Sequence, residues 1–436
     1  MTACLAGPEV RVGAMGQGAA DILPPVRLIT RIADTIAPAR LGSSFRWLLA
    51  ATTADGIGDG VVLSAGPLLV ASQTHDPFLV SMALLSEYLP VLLFGVLGGV
   101  AADRFDRRRM VVVVNLGRTF VLGILVVTIV TGAVSIVLVL ATLFVLASAE
   151  TFANSATSTL LPGLVAREDL GIGNARTQGA GLLTSQLIFP PVGAFLFAAG
   201  PAIPFAANAV CFALAAVLIS RLATDARKAQ PARVGLRSEM LEGFRWLLAH
   251  PPMRTLALTI LTFNVTFGAA WSVLVLYASQ RLGMNAVGFG LLTTATAIGG
   301  IVGTLAYGRL ERRFSLADIM RVGLLIETAT HLILALTTSA AVALATFTVF
   351  GIHEFVWGTT STVVRQRAVP DELLGRVSGV YNVAIVGGLV IGTPIGGLLA
   401  RTFGITAPFW FAFAGSALLV VVLWRQFEHI VHSSES

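Results

Sequence analysis

Charge is scarce in this chain. Asp, Glu, Lys and Arg make up 12% of its 436 residues, about half of the ~25% usual in a soluble domain, which argues against a water-soluble enzyme. Cysteine is almost missing: Cys4 and Cys211 stand 207 positions apart, and two such residues make neither a disulfide framework nor a Cys-based metal site. The six histidines are scattered, with no metal-ligand spacing. No glycine-rich phosphate loop of the GxxxxGK[ST] kind occurs, so nothing suggests ATP as the energy source. No nucleophile–base set stands out, and the sequence calls for no cofactor and no metal.

What the chain has instead is apolar sequence: 56% hydrophobic residues and a mean hydropathy of +0.84. A helix needs about 20 apolar residues to cross a bilayer. Twelve candidate spans satisfy this, at roughly 45–71, 78–102, 110–130, 135–157, 178–199, 203–221, 255–280, 286–308, 319–338, 340–361, 377–400 and 406–425. Residues 177–220 carry no charge and would make a helix of about 66 Å, twice a bilayer. The run must therefore fold back, and "AAGPAIP" at 198–204 supplies the break. "TGAVS" at 131–135 and "TTSAA" at 337–341 read as tight hairpins.

The basic residues sort by side. All but three of the 29 Lys and Arg fall before the first span, in the loops after even-numbered spans, or after the last span; Arg281 and Arg401 lie at the opposite face and Arg118 within a span. The positive-inside rule then puts both termini in the cytoplasm, with the protein in the inner (plasma) membrane. The net charge of +6 is thus a topology signal and implies no nucleic-acid partner. Residues 1–44 contain no signal-peptide pattern and read as a cytoplasmic extension, either disordered or with a short interfacial helix near 26–36.

Shifted by 204 positions, the chain matches itself without a gap: Gly99 falls on Gly303, Arg108 and Arg109 on Arg312 and Arg313, Glu150 on Glu354, Pro190 on Pro394, and Gly193 on Gly397. Two six-helix halves result, 45–221 and 255–425, joined by a cytoplasmic linker at 222–254 with an amphipathic helix and followed by a tail at 426–436. Six is even, so the halves are parallel repeats about an axis along the membrane normal, and substrate in that architecture binds near the midplane between them.

"GGVAADRFDRRRM" at 98–110 resembles the G-x-x-x-D-R-x-G-R-R loop between the second and third helices of the major facilitator superfamily, and "GTLAYGRLERRF" at 303–314 resembles its degenerate second copy. Asp106 stands where the general pattern has Gly. The "ADRFDRRR" form, with "NSATSTLLPGLVAREDLGIGNA" after the fourth span, is similar to the macrolide-efflux and siderophore-exporter branch of drug antiporters. The resemblance implies an all-α transporter of twelve helices and a loop that gates the cytoplasmic side. In it Gly99 permits close helix packing, Asp103 contacts the start of the eleventh helix, and Arg104, Arg107 and Arg108 pair across the loop. A solvated charge run that only fixes topology is the alternative. "FPPVGAF" at 189–195 partly resembles the kink element of exporters on the fifth helix, with Pro190, Pro191 and Gly193 as its core; an ordinary packing kink is the other reading.

Ionisable groups inside a bilayer are costly and usually functional. "ADGIGDG" puts Asp55 and Asp59 four apart on one face of the first helix, a pair able to hold a proton between them; the alternative is that Asp59 bends or caps a Gly-rich helix. Glu87 and Arg118 are the next candidates and could pair with each other. Glu327 is a further proton-coupling candidate and shares a face of the ninth helix with His331, two residues that do not by themselves make a metal site. The drug antiporters of the superfamily often carry an Arg on the fourth helix; residues 135–160 have none, and Arg118 is the candidate replacement.

Phe152, Asn154, Gln186, Asn264, Trp271, Trp357 and Asn382 are candidate cavity residues. Aromatic, weakly polar and acidic groups together suit a bulky amphipathic molecule better than a sugar. The expectation is a monomeric exporter of a hydrophobic or amphipathic small molecule, driven by proton antiport. An importer or facilitator, or a non-transporting receptor or scaffold on the same fold, are the alternatives.

Overall fold

The computed structural model describes residues 39–222 and 236–424. The disordered-or-helical question at 26–36 and the tail at 426–436 lie outside them. Every regular element among the described residues is helical. We label the spans α1 (Gly42–Gln73), α2 (Pro77–Arg104), α3 (Arg107–Val130), α4 (Ile136–Leu160), α5 (Leu170–Leu182, Leu183–Ile188 and Phe189–Ala199 in succession) and α6 (Ile203–Ser220). The second half has α7 (Pro251–Trp271, continued by Leu274–Gln280), α8 (Ala286–Arg313), α9 (Leu316–Leu336), α10 (Ala340–Ala368), α11 (Asp371–Phe403) and α12 (Ala407–Leu423). The connecting helix Leu236–Ala249 precedes α7. Eleven of these spans are long and apolar enough to cross a bilayer; α12, at 17 residues, covers about 25 Å at 1.5 Å per residue.

Helix starts follow ordinary capping chemistry. Asp76 accepts from the Phe78 amide at 2.9 Å ahead of α2, Asn285 from Gly288 at 3.0 Å ahead of α8, and Ser315 from Asp318 at 3.1 Å ahead of α9, each satisfying an otherwise orphaned donor. Asp106 does the same for Arg109 at 2.7 Å, which explains a carboxylate where the superfamily pattern has Gly.

Within the first half α2 packs on α4, α3 on α6, and α1 on α5 and α6. The second half repeats this as α8 on α10, α9 on α12, and α7 on α11. The halves meet where α2 lies on α11 and α5 on α8, the two contacts exchanged by the internal repeat. In α5 the turn before Pro190 and Pro191 widens to a π-helix over Leu183–Ile188. Proline lacks the amide that the ladder needs and its ring crowds the carbonyl one turn earlier. Beyond the prolines, a Cβ on Gly193 would stand 2.1 Å from the Val61 carbonyl oxygen, so only glycine lets α5 lie on α1 there.

The two halves are closed on one face and apart on the other. A Cβ on Gly397 of α11 would come 2.1 Å from Ser81 Oγ of α2, and one on Gly290 of α8 would come 2.7 Å from Ala194 Cβ of α5. Asp76 pairs with Arg401 across the halves at 3.7 Å. All of these sit at the helix ends away from the 103–109 loop. On the loop's own face Arg40–Asp169 at 3.5 Å and Arg367–Glu311 at 3.1 Å each stay within one half, and Arg376 of α11 meets Glu242 of the connecting helix at 2.8 Å.

Candidate substrate cavity and charge cluster

Between the halves lies a cavity of about 740 Å³. Its lining runs from Leu63 and Pro67 at mid-height in α1 to Val363 and Gln366 near the end of α10, so it reaches toward the basic face, where the halves are apart. One wall is aromatic. Trp271 stacks on Phe267 at 4.3 Å and leans on Phe347 at 5.5 Å, with Phe289 and Phe355 also exposed to the space. Tyr88, Gln186 and Glu354 bring polar atoms to it.

A smaller recess shares Leu63, Pro67, Ala83 and Gln186 with this cavity and is lined further in by Asp59, Glu87, Arg118, Glu150 and Asn208. At its base Arg118 is 2% exposed. Its guanidinium lies 3.3 Å from Asp55, hydrogen-bonds Asp59, and reaches within 3.9 Å of Glu150. Asn115 accepts from it at 3.5 Å, and the Phe212 ring lies 3.6 Å from its Cζ, a cation–π contact. The glycines of "ADGIGDG" explain the arrangement. Added Cβ atoms at Gly56 and Gly58 would stand 2.2 Å from Thr184 and 2.0 Å from Asn208, so α5 and α6 press on that face while Asp55 and Asp59 point at α3. With one guanidinium against three carboxylates, the cluster is neutral only when two carboxylates carry protons. Net charge in so poorly solvated a place is expensive.

The 103–109 loop is tied to its own half. Asp103 lies 4.0 Å from Arg107. Arg107 donates to the Thr159 carbonyl at 3.1 Å and the Ala102 carbonyl at 3.3 Å, and Arg108 donates to the Ser220 carbonyl. Arg104 is exposed. The expected contact from Asp103 to the start of α11 is not made in this state, because the halves are separated on that face. Nor does Gly99 serve close packing here: its Cβ position is open, and Gly98 takes that part, 2.7 Å from Ser155 Oγ and 3.1 Å from the Thr151 carbonyl.

The sequence matches the family described as transmembrane secretion effector over residues 33–435. The chain belongs to this family of major facilitator transporters. A multidrug efflux pump, Tap of Mycolicibacterium fortuitum, is 26% identical over 376 residues, covering 83% of this chain and 90% of the relative. The enterobactin exporter EntS of Salmonella choleraesuis is 26% identical over 371 residues, 81% and 85% of the two. Among solved structures, an inward-facing bacterial homologue of the iron transporter ferroportin superposes with a TM-score of 0.68 at 18% identity, covering 93% of this chain and 99% of that one. The protein is therefore a multi-pass membrane transporter of small molecules and not an enzyme.

As a family member it places its expected site residues unevenly. Gln186 and Trp271 line the main cavity, as does Pro190. Trp357 and Asn264 are buried elsewhere: Trp357 near His353 and Phe263, and Asn264 donating to the Ile260 carbonyl at 2.7 Å against α11. Phe152 leans on Phe94 of α2 at 6.2 Å, Asn154 donates to Glu150 at 3.4 Å, and Asn382 is exposed; none of the three borders the cavity. Arg118 takes Asp55, Asp59 and Glu150 as partners in place of Glu87, which borders the same recess. Glu150 and the cavity residues Tyr88, Phe267, Phe347 and Glu354 were missed as site residues; only the repeat pairing of Glu150 with Glu354 marked them in advance. Glu327 meets His331 at 2.8 Å and, from α10, His353 at 3.5 Å. Among the described residues no group of His, Cys, Asp and Glu is placed to hold a metal ion.

Proposed function

We propose that this transporter exports bulky amphipathic cations from the cytoplasm by proton antiport. The observation that carries the reading is the Arg118 cluster. Three carboxylates share one guanidinium in a recess that opens on an aromatic cavity, so protons and a cationic cargo compete for the same negative charge. The aromatic wall supplies ring faces that attract cations and apolar surface alike. The multidrug efflux pump among its relatives supports a broad, hydrophobic cargo. The acidic lining favours a cation over an anionic siderophore-like molecule.

In this reading the basic face is cytoplasmic, both termini lie in the cytoplasm, the membrane is the plasma (inner) membrane, and the structure is inward-open. Cargo entering from the cytoplasm displaces protons from the cluster. The halves then rock, the 103–109 loop closes on α11, and protons from outside reload the carboxylates and release the cargo. A single chain contains both halves and so suffices as a monomer.

The test is flux in proteoliposomes with an imposed pH gradient and a panel of cationic lipophiles, dyes and macrolides. Uphill movement of a cation against its gradient, driven by protons, is the expected result. Flux that ignores the pH gradient would leave a facilitator or another coupling ion and remove the Arg118 cluster from its role. No flux of any panel member in either direction would favour a receptor or a narrow importer.

A further inference from the structure

We infer that Glu327, His331 and His353 form a second proton-binding site, carried by the second half and separate from the Arg118 cluster, which acts on the substrate cavity through Trp271. Glu327 and His331 stand one turn apart on α9 and touch at 2.8 Å, while His353 reaches the other Glu327 oxygen at 3.5 Å from α10. All three side chains are 1% exposed or less. Gly323, one turn before Glu327, makes the meeting possible: a Cβ there would stand 3.0 Å from His353 Nδ1 and 2.8 Å from Trp357.

Two other titratable groups stand near it: Glu354, next to His353 on α10 and within electrostatic reach of Glu327, and Tyr277 of the α7 continuation, which donates to the Leu334 carbonyl of α9 at 2.7 Å. α12, which packs on α9, has no ionisable residue over Ala407–Leu423. α7 brings aromatic rings there, its one charged residue, Arg254, lying near the opposite end of Pro251–Trp271. α8, packed on α10, carries Tyr307, Arg309, Glu311, Arg312 and Arg313 only toward its C-terminal end at the basic face. On α10 itself Glu354 turns to the cavity. The triad is neutral when its two imidazoles hold one proton between them in addition to those that both neutral rings carry. It bears a net charge once it loses that proton or gains another.

Its polar atoms are also left incomplete. His331 Nδ1 is buried without a hydrogen-bond partner, and Glu327 Oε2 and His353 Nε2 meet only across 3.5 Å, an arrangement that costs free energy unless a proton or a rearrangement completes it. Trp271 links the triad to the cavity. His331 stands edge-on to Trp271, 6.0 Å between centroids at 88°, and Trp271 is the face that the cavity sees. A change of triad charge must be met by solvent or by reorientation of that ring, so the protonation state sets how Trp271 presents itself to cargo. The step itself is only formation or breakage of one N–H bond, with water as donor or acceptor of the proton.

The site does not rest on the role given to Arg118, and equilibrium fluorescence tests it without transport. A protonated imidazole beside an indole quenches its emission. Trp246 stacks on His250 at 3.8 Å and Trp357 stands 5.8 Å from His353, and either would add a signal of its own, so the full chain carrying Trp246→Phe and Trp357→Phe is purified in nanodiscs and its emission followed as pH is varied. A single-midpoint titration is expected. It should be lost in Trp271→Phe, lost or displaced in His331→Gln and in Glu327→Gln, and kept in Asp59→Asn. If His331→Gln does not fold, His353→Gln makes the same test. A titration unchanged by all the triad variants, one abolished by Asp59→Asn, or no titration in the parent overturns the assignment.

Discussion

Removing the Arg118 guanidinium tests the charge cluster most directly. Arg118→Ala leaves Asp55, Asp59 and Glu150, which lie within 3.9 Å of that group, with no cation. Breaking a buried ion pair by deleting one partner costs about 3–5 kcal/mol, mostly because the survivors remain buried and unbalanced. One kcal/mol moves the melting point by about 2–4 °C in a unit of 150–250 residues, the size of the first half. Arg118→Ala should therefore lower the melting temperature by roughly 6–20 °C, read by fluorescence-detected size exclusion after heating in detergent. Restoring balance should return part of the loss: Arg118→Ala with Asp59→Asn is expected to melt above Arg118→Ala alone, by a coupling of about 0.5–3 kcal/mol. A single variant melting within about 2 °C of the parent, or strictly additive effects in the double variant, would mean that the contacts carry no free energy.

Other outcomes follow from the same geometry. Asp59→Asn should insert and fold yet move cargo without regard to the pH gradient in proteoliposomes; an unchanged gradient response would remove Asp59 from coupling. Gly99→Leu should accumulate in the membrane at the parent level but turn over slowly, since its Cβ position is open here and the proposed gating motion brings α11 toward that end of α2. Gly98→Leu, pressed on α4, should lower the folded yield instead, and equal yields for the two would refute the distinction. Gly193→Ala places a methyl 2.1 Å from the Val61 carbonyl oxygen and should lower thermal stability by about 1–3 kcal/mol, as overpacking does. Asp103→Asn should leave insertion intact and slow cargo release to the outside.

Much of the fold was legible because membrane helices announce themselves by length and the loops by arginine. The 204-residue repeat then fixed the pairing of the halves, and the Gly200–Pro201 break separated α5 from α6. The cavity was less legible for a physical reason. A helix in lipid is apolar all round, so the polar-against-apolar stripe that marks a buried face in a soluble protein is missing. Choosing Phe152, Asn154 and Asn382 over Phe267 and Phe347 followed residue type with no direction to guide it. Helical spacing did bring Asp55 and Asp59 to one face, and Glu327 to His331, because those relations are local. It could not bring Arg118 to Asp59, or His353 to Glu327, since those meetings depend on how α3 and α10 are rotated in the bundle. Gly98 and Gly99 show the same limit: adjacent glycines, one in a contact and one facing open space.

The closed face has an energetic meaning for the working cycle. Asp76 and Arg401 are both partly exposed, and such a pair is worth about 0–1 kcal/mol. Beside it the closure is built of glycine and alanine crossings and of a buried apolar layer shared by both halves, Leu68, Leu69 and Val80 of the first with Leu274, Val275 and Phe289 of the second. A tenfold change in proton activity is worth about 1.4 kcal/mol, more than the ion pair alone supplies. The ion pair is thus a minor part of the closure, and opening that face has to separate the apolar layer as well. High external salt, which screens the Asp76–Arg401 pair, should shift the resting population measurably toward the outward-facing form.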